Sequence, residues 1–384
     1  MTNPKNHFFV ALHSHYHRVR QFIKDIIITF WPTWYFSRLY KQCAAINPYF
    51  VDERYGIYQG QGPYTIGIFK DFGQYHKYYI SACRDMGISY KVLDISGPEW
   101  LEVVKHSNCD GFLVWPSAVM SIRKEMYDER LKIIAYDLEK ILFPSYDELW
   151  VWESKRRMHY WLSFHNIFQP KTWVFYDIEN ALSFVETAKF PLVYKSNFGD
   201  SSMGVTVLRS PKQALRILKK SFSRGVPLSG AHPCERQWGN VLFQEYIKDH
   251  TEWRMIRIGE SYFGYVKKRV DNFASGVHSF SYLHPSDKLL DFVKHVTDTG
   301  NFMSMSLDIL VTPEEKFFVI ELQSLFGYHI SEERPKDPDY KPGRYVYDIK
   351  KEHWNFEEGF FDQNMCCNLR VGALIKKLDT IKAC

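Results

Sequence analysis

The sequence predicts an α/β unit built on a parallel sheet, followed by a larger α+β region. Three observations predict it. Apolar runs at 64–69, 90–95 and 111–115 alternate with helical patterns, and that alternation implies a parallel sheet with right-handed crossovers. From about residue 150 the pattern changes, and runs 191–195 and 205–208 read as an antiparallel pair across a glycine turn. The length of 384 residues exceeds one typical core, so two or three subdomains are expected.

The elements follow in order. Residues 1–60 read as a helical, aromatic-rich segment ending in a turn-rich stretch at 58–63. The α/β unit occupies 61–150, with helices expected at 75–83 and 100–104 between its three strands. No GxGxxG follows the first strand, where Lys70-Asp-Phe-Gly-Gln74 stands, so a dinucleotide site is not indicated. Ser154 reads as the N-cap of a helix running to Leu162. A turn at 166–172 leads into strand 173–176, and Asp177 caps a helix to Ala188 with Ile178, Leu182 and Val185 on one face. Ser210 followed by Pro211 opens a helix through Leu215 and Leu218, because proline is tolerated at the first helical position. Residues 221–240 are polar and turn-rich. Strands are expected at 241–247, 252–258 and 261–269, and then a helix from Ser286 with Leu289, Leu290, Val293 and Val296. Strands 305–311 and 317–323 close the region. Residues 331–350 are rich in charge and proline and read as a loop or lid. A last amphipathic helix, about 360–380, uses Met365, Leu369, Ala373, Leu374 and Leu378.

Composition narrows the function classes. Apolar residues make up 45% and charged residues 24%, as in a soluble globular protein. A net charge of +5 suits an anionic ligand or a membrane surface. It is too small to argue for nucleic acid, and no basic run or aromatic RNA-binding signature is present. The seven cysteines form no regular framework and no CxxC pair, so buried or free thiols are expected and structural zinc is not. Residues 26–37 are the longest uncharged stretch, too short for the ~20 apolar residues of a membrane span and interrupted by Pro32. With His13, His15, His17, Arg18, Arg20 and Lys24 upstream, this stretch suits either an in-plane membrane helix or a helix packed on protein. A cytoplasmic protein, with or without membrane association, is expected.

Three stretches carry chemistry. Lys195 ends an apolar run and precedes Gly199-Asp-Ser-Ser-Met-Gly204. A glycine-rich turn lets backbone N–H groups approach phosphate oxygens, and Ser201 and Ser202 add hydroxyl donors. This is not a P-loop, since the lysine precedes the glycines and Val205-Thr206 follow them. Gln244-Glu245-Tyr246-Ile247 ends a strand whose carboxylate and backbone groups can read an adenine edge. Glu252 could accept from ribose hydroxyls, and Arg254, on the same strand face, could meet phosphate. Asp308 and Glu321 lie in apolar strands, with Gln323 on the same face as Glu321. Unpaired carboxylates in buried strands are expensive, so either a cation or basic partners must compensate them. An all-oxygen set of this kind suits Mg²⁺ bound together with nucleotide phosphates, and Mn²⁺ could replace it.

These motifs, in this order, resemble the ATP-grasp superfamily of the carboxylate–amine ligase type, from about residue 60 to 327. The resemblance implies a pre-ATP-grasp domain at 61–150 and an ATP-grasp domain at 151–327, with subdomains 151–243 and 244–327 gripping ATP between them. Residues 328–384 are left as a loop or lid and a C-terminal helix. Lys155 matches the first ATP-binding lysine and Lys195 the second, while 199–204 match the mobile flap. Glu245, Tyr246 and Ile247 match the adenine hinge, and Glu252 matches the ribose-binding acid. Asp308 and Glu321 match the two magnesium-binding acids. Two positions depart from the pattern: Gln323 stands where most relatives have Asn, and Ser306 where many have Arg. Arg269 is the first candidate to replace that arginine, with Lys267 on the same strand face and Arg254 nearby.

The expected activity is ATP-dependent, ADP-producing activation of a carboxylate as an acylphosphate, followed by attack of an amine. The co-substrates would be small molecules, or a lipid-linked or cell-surface polymer precursor. Phosphoryl transfer to another acceptor, or ATP binding at a membrane without turnover, are the alternatives. A homodimer is the base expectation.

Overall fold

The structure is a computed structural model that describes residues 23, 26, 56–71, 73–117, 120–199, 204–228, 234–267, 269–270, 273–274, 280–281, 283–327 and 341–383. The aromatic segment before residue 56 and the Ser201–Ser202 hydroxyls therefore lie outside the described residues, apart from two isolated positions in the former.

The first sheet holds β1 (Ile57–Tyr58), β2 (Thr65–Phe69), β3 (Ser89–Leu93), β4 (Gly111–Leu113) and β5 (Leu142–Phe143), in the order β1-β3-β2-β4-β5. β3, β2, β4 and β5 run parallel, as the alternation with helices predicts, and β1 pairs antiparallel at one edge. Gly67 sits mid-strand because Phe112 on β4 leans over it: a Cβ there would lie 2.4 Å from the Phe112 ring. Around this sheet stand α1 (His76–Asp85), α2 (Trp100–Lys105), α3 (Ser121–Lys132), a π turn (Ile133–Asp137) and α4 (Tyr146–Val151). The sequence reading assigned no element between 116 and 150. In α3 two core-facing positions are Lys124 and Asp128, one helical turn apart, which neutralise each other and so hide the apolar stripe.

The second sheet is antiparallel throughout. It holds β6 (Thr172–Phe175), β7 (Leu192–Lys195), β8 (Val205–Leu208) and, after the small ribbon of β9 (Val226–Pro227) and β10 (Arg236–Gln237), β11 (Val241–Glu245). Its order is β6-β11-β7-β8. It is entered through α5 (Lys155–Phe164), and α6 (Ile178–Thr187) and α7 (Pro211–Ser221) supply Ala181, Val185, Ala214 and Leu218 to its core.

The third sheet holds β12 (Thr251–Ile258), β13 (Ser261–Lys267), β16 (Phe280–Ser281), β17 (Ser304–Val311), β18 (Phe317–Gln323), β19 (Gly343–Asp348) and β20 (His353–Glu358). A short ribbon of β14 (Arg269–Val270) and β15 (Phe273–Ala274) stands apart from it. The order is β18-β17-β12-β13-β19-β20, with β16 also beside β13. Strand alternation gives this sheet two faces. Met255, Leu307, Ile309 and Val319 pack with α8 (Asp287–Thr299) and with Met158 and Leu162 of α5. The other face carries Glu252, Arg254, Lys267, Ser306 and Asp308.

Three findings revise the sequence reading. Residues 343–348, expected within a loop or lid, form β19 and extend the third sheet with β20. Helix α5 contributes its apolar side to the core of the third sheet although it precedes the second in sequence. The C-terminal helix α9 (Gln363–Ala383) returns to the first sheet, placing Cys367, Val371, Leu374 and Leu378 in that core. Among the described residues no helix is long and apolar enough to cross a membrane.

Candidate functional site

Strand ends and register bring the predicted residues together. Lys155 opens α5 and Lys195 ends β7; both are buried. The start of α5 is fixed by Asn197, just beyond β7. Its Oδ1 accepts from the Arg156 N–H at 3.0 Å and faces Ser154 Oγ at 3.2 Å, and its carbonyl accepts from the Lys155 N–H at 3.1 Å. Asn197 N–H donates in turn to Gln237 Oε1 at 2.8 Å. The sequence reading missed Asn197 and Gln237, since an isolated polar residue in a turn or a two-residue strand carries no periodic signal.

From there both lysines reach β18. Lys155 Nζ donates to the Gly199 carbonyl at 2.8 Å and lies 3.5 Å from Glu321 Oε1. Lys195 Nζ donates to the Ile320 carbonyl at 3.4 Å. That carbonyl is exposed by a bulge: Glu321 pairs with Asp308 and Val319 with Ile309, leaving Ile320 without an opposite residue. Burial lowers the Lys195 ammonium to about 8, with the neighbouring Glu321 carboxylate limiting the drop.

The third sheet presents its charges by register. Arg254 lies opposite Asp308, Glu252 opposite Lys267, Asp308 opposite Glu321 and Ser306 opposite Gln323. Opposite residues of an antiparallel pair share a face. Arg254 binds Asp308 through two bonds, Nε to Oδ1 at 2.7 Å and Nη2 to Oδ2 at 2.8 Å. Lys267 Nζ donates to Asp308 Oδ2 and, at 2.8 Å, to Glu252 Oε1. Burial alone would raise the Asp308 carboxyl, but the charges of Arg254 and Lys267 outweigh it and hold the group well below the usual carboxylate range. Glu252 is pushed up by burial, against the pull of Lys267.

Of the two ways to compensate these carboxylates, the geometry shows basic partners. Asp308 is compensated by Arg254 and Lys267, and Glu321 has Lys155 beside it. Among the described residues no three His, Cys, Asp or Glu side chains form a metal-binding group. The donors fit a magnesium ion unevenly. Among the described residues Glu321 Oε2 has no protein partner, and the side chain is 23% exposed, whereas Asp308, at 3%, has three N–H bonds on its two oxygens. Gln323 Nε2 donates to Glu321 Oε1 at 3.1 Å.

The remaining predicted residues divide. Glu245 ends β11 exposed, its Oε2 accepting from the Lys171 N–H at 3.3 Å, and half-buried Tyr246 and Ile247 follow outside the sheet. Gln244 turns away to donate to Thr172 Oγ1 at 2.9 Å. Gly199 and Gly204 bracket the flap with φ of 116° and 74°, conformations that favour glycine. The Arg269 side chain lies outside the described residues, while its backbone belongs to β14. Ser306 is fully buried, its Oγ has no hydrogen-bond partner among the described residues, and this position offers no cation.

No family model and no curated protein matches the chain. Among solved structures, D-alanine–D-alanine ligase from Bacillus anthracis superposes with a TM-score of 0.52 at 13% identity, covering 83% of this chain and 99% of that one. The same ligase complexed with ATP gives 0.51 with the same identity and coverage. The ADP complex of an N5-carboxyaminoimidazole ribonucleotide synthetase gives 0.50 at 16% identity, covering 69% of this chain and 71% of that one. At such identities the likeness is one of fold.

Proposed function

The chain has the ATP-grasp fold, and on that premise we propose that it is an ADP-forming ligase joining a carboxylate to an amine. One observation carries the reading: Lys155 and Lys195 from the second sheet's side meet Glu321, Asp308, Arg254 and Lys267 on the third sheet, in one buried cluster. Four cationic side chains against three acids (Glu252, Asp308, Glu321) leave a surplus of positive charge where a triphosphate would lie.

In this reading the nucleotide's base meets the backbone of 245–247 and its phosphates lie under the 199–204 flap. Lys155 and Lys195 bind phosphate oxygens, at the positions where their ammonium groups now hold main-chain carbonyls. Glu321 and the Gln323 amide would hold Mg²⁺, or Mn²⁺ in its place, which when bound neutralises phosphate charge and orients the terminal group. A substrate carboxylate attacks the γ-phosphorus, ADP leaves, and the resulting acylphosphate is attacked by an amine with release of phosphate. Arg254 and Lys267 stabilise the charge that develops on the transferred group, and Arg269 remains a candidate for the same role. The protein's part is positioning and charge neutralisation. The basic, aromatic segment before residue 56 favours a lipid-linked or surface-polymer precursor as one co-substrate.

The test is ADP release against a matrix of carboxylates and amines. Release that requires one of each supports the ligase. A stable phosphorylated product formed without an amine would replace the reading with phosphotransfer. ATP binding with no turnover across the screen would replace it with a binding module.

A further inference from the structure

We infer that Asp308 is not a metal ligand but a positioning residue, the anchor of a cationic clamp made by Arg254 and Lys267, and that the site takes a single divalent ion on Glu321. The inference rests on the proposed nucleotide site and refines how its charge is neutralised.

The two acids are opposite each other in register but differ in occupancy. A carboxylate offers about four acceptor positions on its two oxygens. Asp308 uses three: two from the Arg254 fork and one from Lys267. The fork is a matched, two-point geometry that also fixes the guanidinium plane. Lys267 is held from a second side by Glu252 Oε1 at 2.8 Å. A metal ion on Asp308 would find one acceptor position left and would stand directly against the buried charges of Arg254 and Lys267.

Glu321 is in the opposite condition. It has one oxygen touched by Lys155 at 3.5 Å and Gln323 at 3.1 Å, and a second oxygen without a protein partner among the described residues. Lys155 can leave for a phosphate without stranding a buried carboxylate, because the ion would take its place. Ser306, on the same face as Asp308, supplies no cation from β17. Arg254 therefore brings a guanidinium to this face from the neighbouring strand β12, and Asp308 fixes where it stands.

The experiment counts ions. The full chain is saturated with a non-hydrolysable ATP analogue and titrated with Mn²⁺, read by electron paramagnetic resonance as Mn²⁺ bound per nucleotide bound. One ion per nucleotide is expected; two would overturn the inference and leave the ligase reading intact. Asp308→Asn should keep one ion per nucleotide while turnover falls at least a hundredfold, and Glu321→Gln should weaken Mn²⁺ binding at least tenfold. Loss of the ion in a folded Asp308→Asn variant would overturn the inference. Should that variant not fold, the wild-type count decides alone. If no nucleotide binds, the ligase reading falls and takes this inference with it.

Discussion

Lys195 answers to its surroundings. Burial sets its folded value at about 8, below the ordinary 10.5. The unfolded chain then binds more protons between about pH 8 and 10.5, so this lysine's contribution to stability rises with pH across that window and is constant below it. Nucleotide binding should run the other way, since phosphate favours the ammonium. Affinity should fall as pH rises through about 8, with proton uptake visible when binding calorimetry is repeated in buffers of different ionisation enthalpy. Lys195→Met should weaken binding and flatten that profile; a profile unchanged from wild type would remove Lys195 from the phosphates. Gly204 is constrained by both backbone and space. Its φ is 74°, and a Cβ would stand 1.9 Å from Ser196 Oγ and 2.8 Å from Ser196 Cβ. Gly204→Ala should cost about 1–2 kcal/mol in urea unfolding, and it should reduce nucleotide affinity if the flap closes on phosphate.

Elements whose pattern is periodic and whose ends are capped were legible from sequence. Helix α8 begins at Ser286, whose Oγ accepts from the Leu289 N–H at 3.3 Å, and its Leu289, Leu290, Val293 and Val296 are buried as their spacing predicts. Ser286→Ala should cost about 1 kcal/mol and Leu290→Ala about 2–5 kcal/mol, both read from urea midpoints. Asp177 caps α6 as expected, by accepting from the Asn180 N–H at 2.9 Å. Ser154 stands at the N-cap of α5, but its hydroxyl meets Asn197 instead of the helix's own N–H groups. The elements that escaped were those with charge on the buried side or exposure on both. Lys124 and Asp128 hide the stripe of α3. Strand β20 is mostly exposed, so no alternation marks it.

At the scale of the whole molecule, one residue joins the cores. Arg370 of α9 is fully buried between the Trp115 and Phe326 rings, at 4.8 and 4.5 Å from their centroids. It donates to Ser304 Oγ at 3.2 Å, to the Phe326 carbonyl at 3.1 Å and to the Met365 carbonyl at 3.0 Å. Trp115 follows β4, Ser304 opens β17 and Phe326 follows β18, so the C-terminal helix ties the first sheet to the third. Glu148 of α4 reinforces the joint by accepting from the Ser304 N–H at 2.5 Å. Arg370→Met should lower stability by roughly 3 kcal/mol, because three acceptors, two of them in buried bonds, lose their donor, and calorimetry should show whether the melt stays a single transition. The sequence by itself determined the fold class, most strands of the three sheets and the identity of the residues that gather at the site. Local period, turn chemistry and motif order are properties of neighbours along the chain. Only the tertiary structure decided which cation faces which acid, because a single-residue change of register would carry Asp308 to the apolar face and away from Arg254. It alone also decided that the last helix completes the first core, since nothing local in residues 363–383 names a partner more than 250 positions upstream.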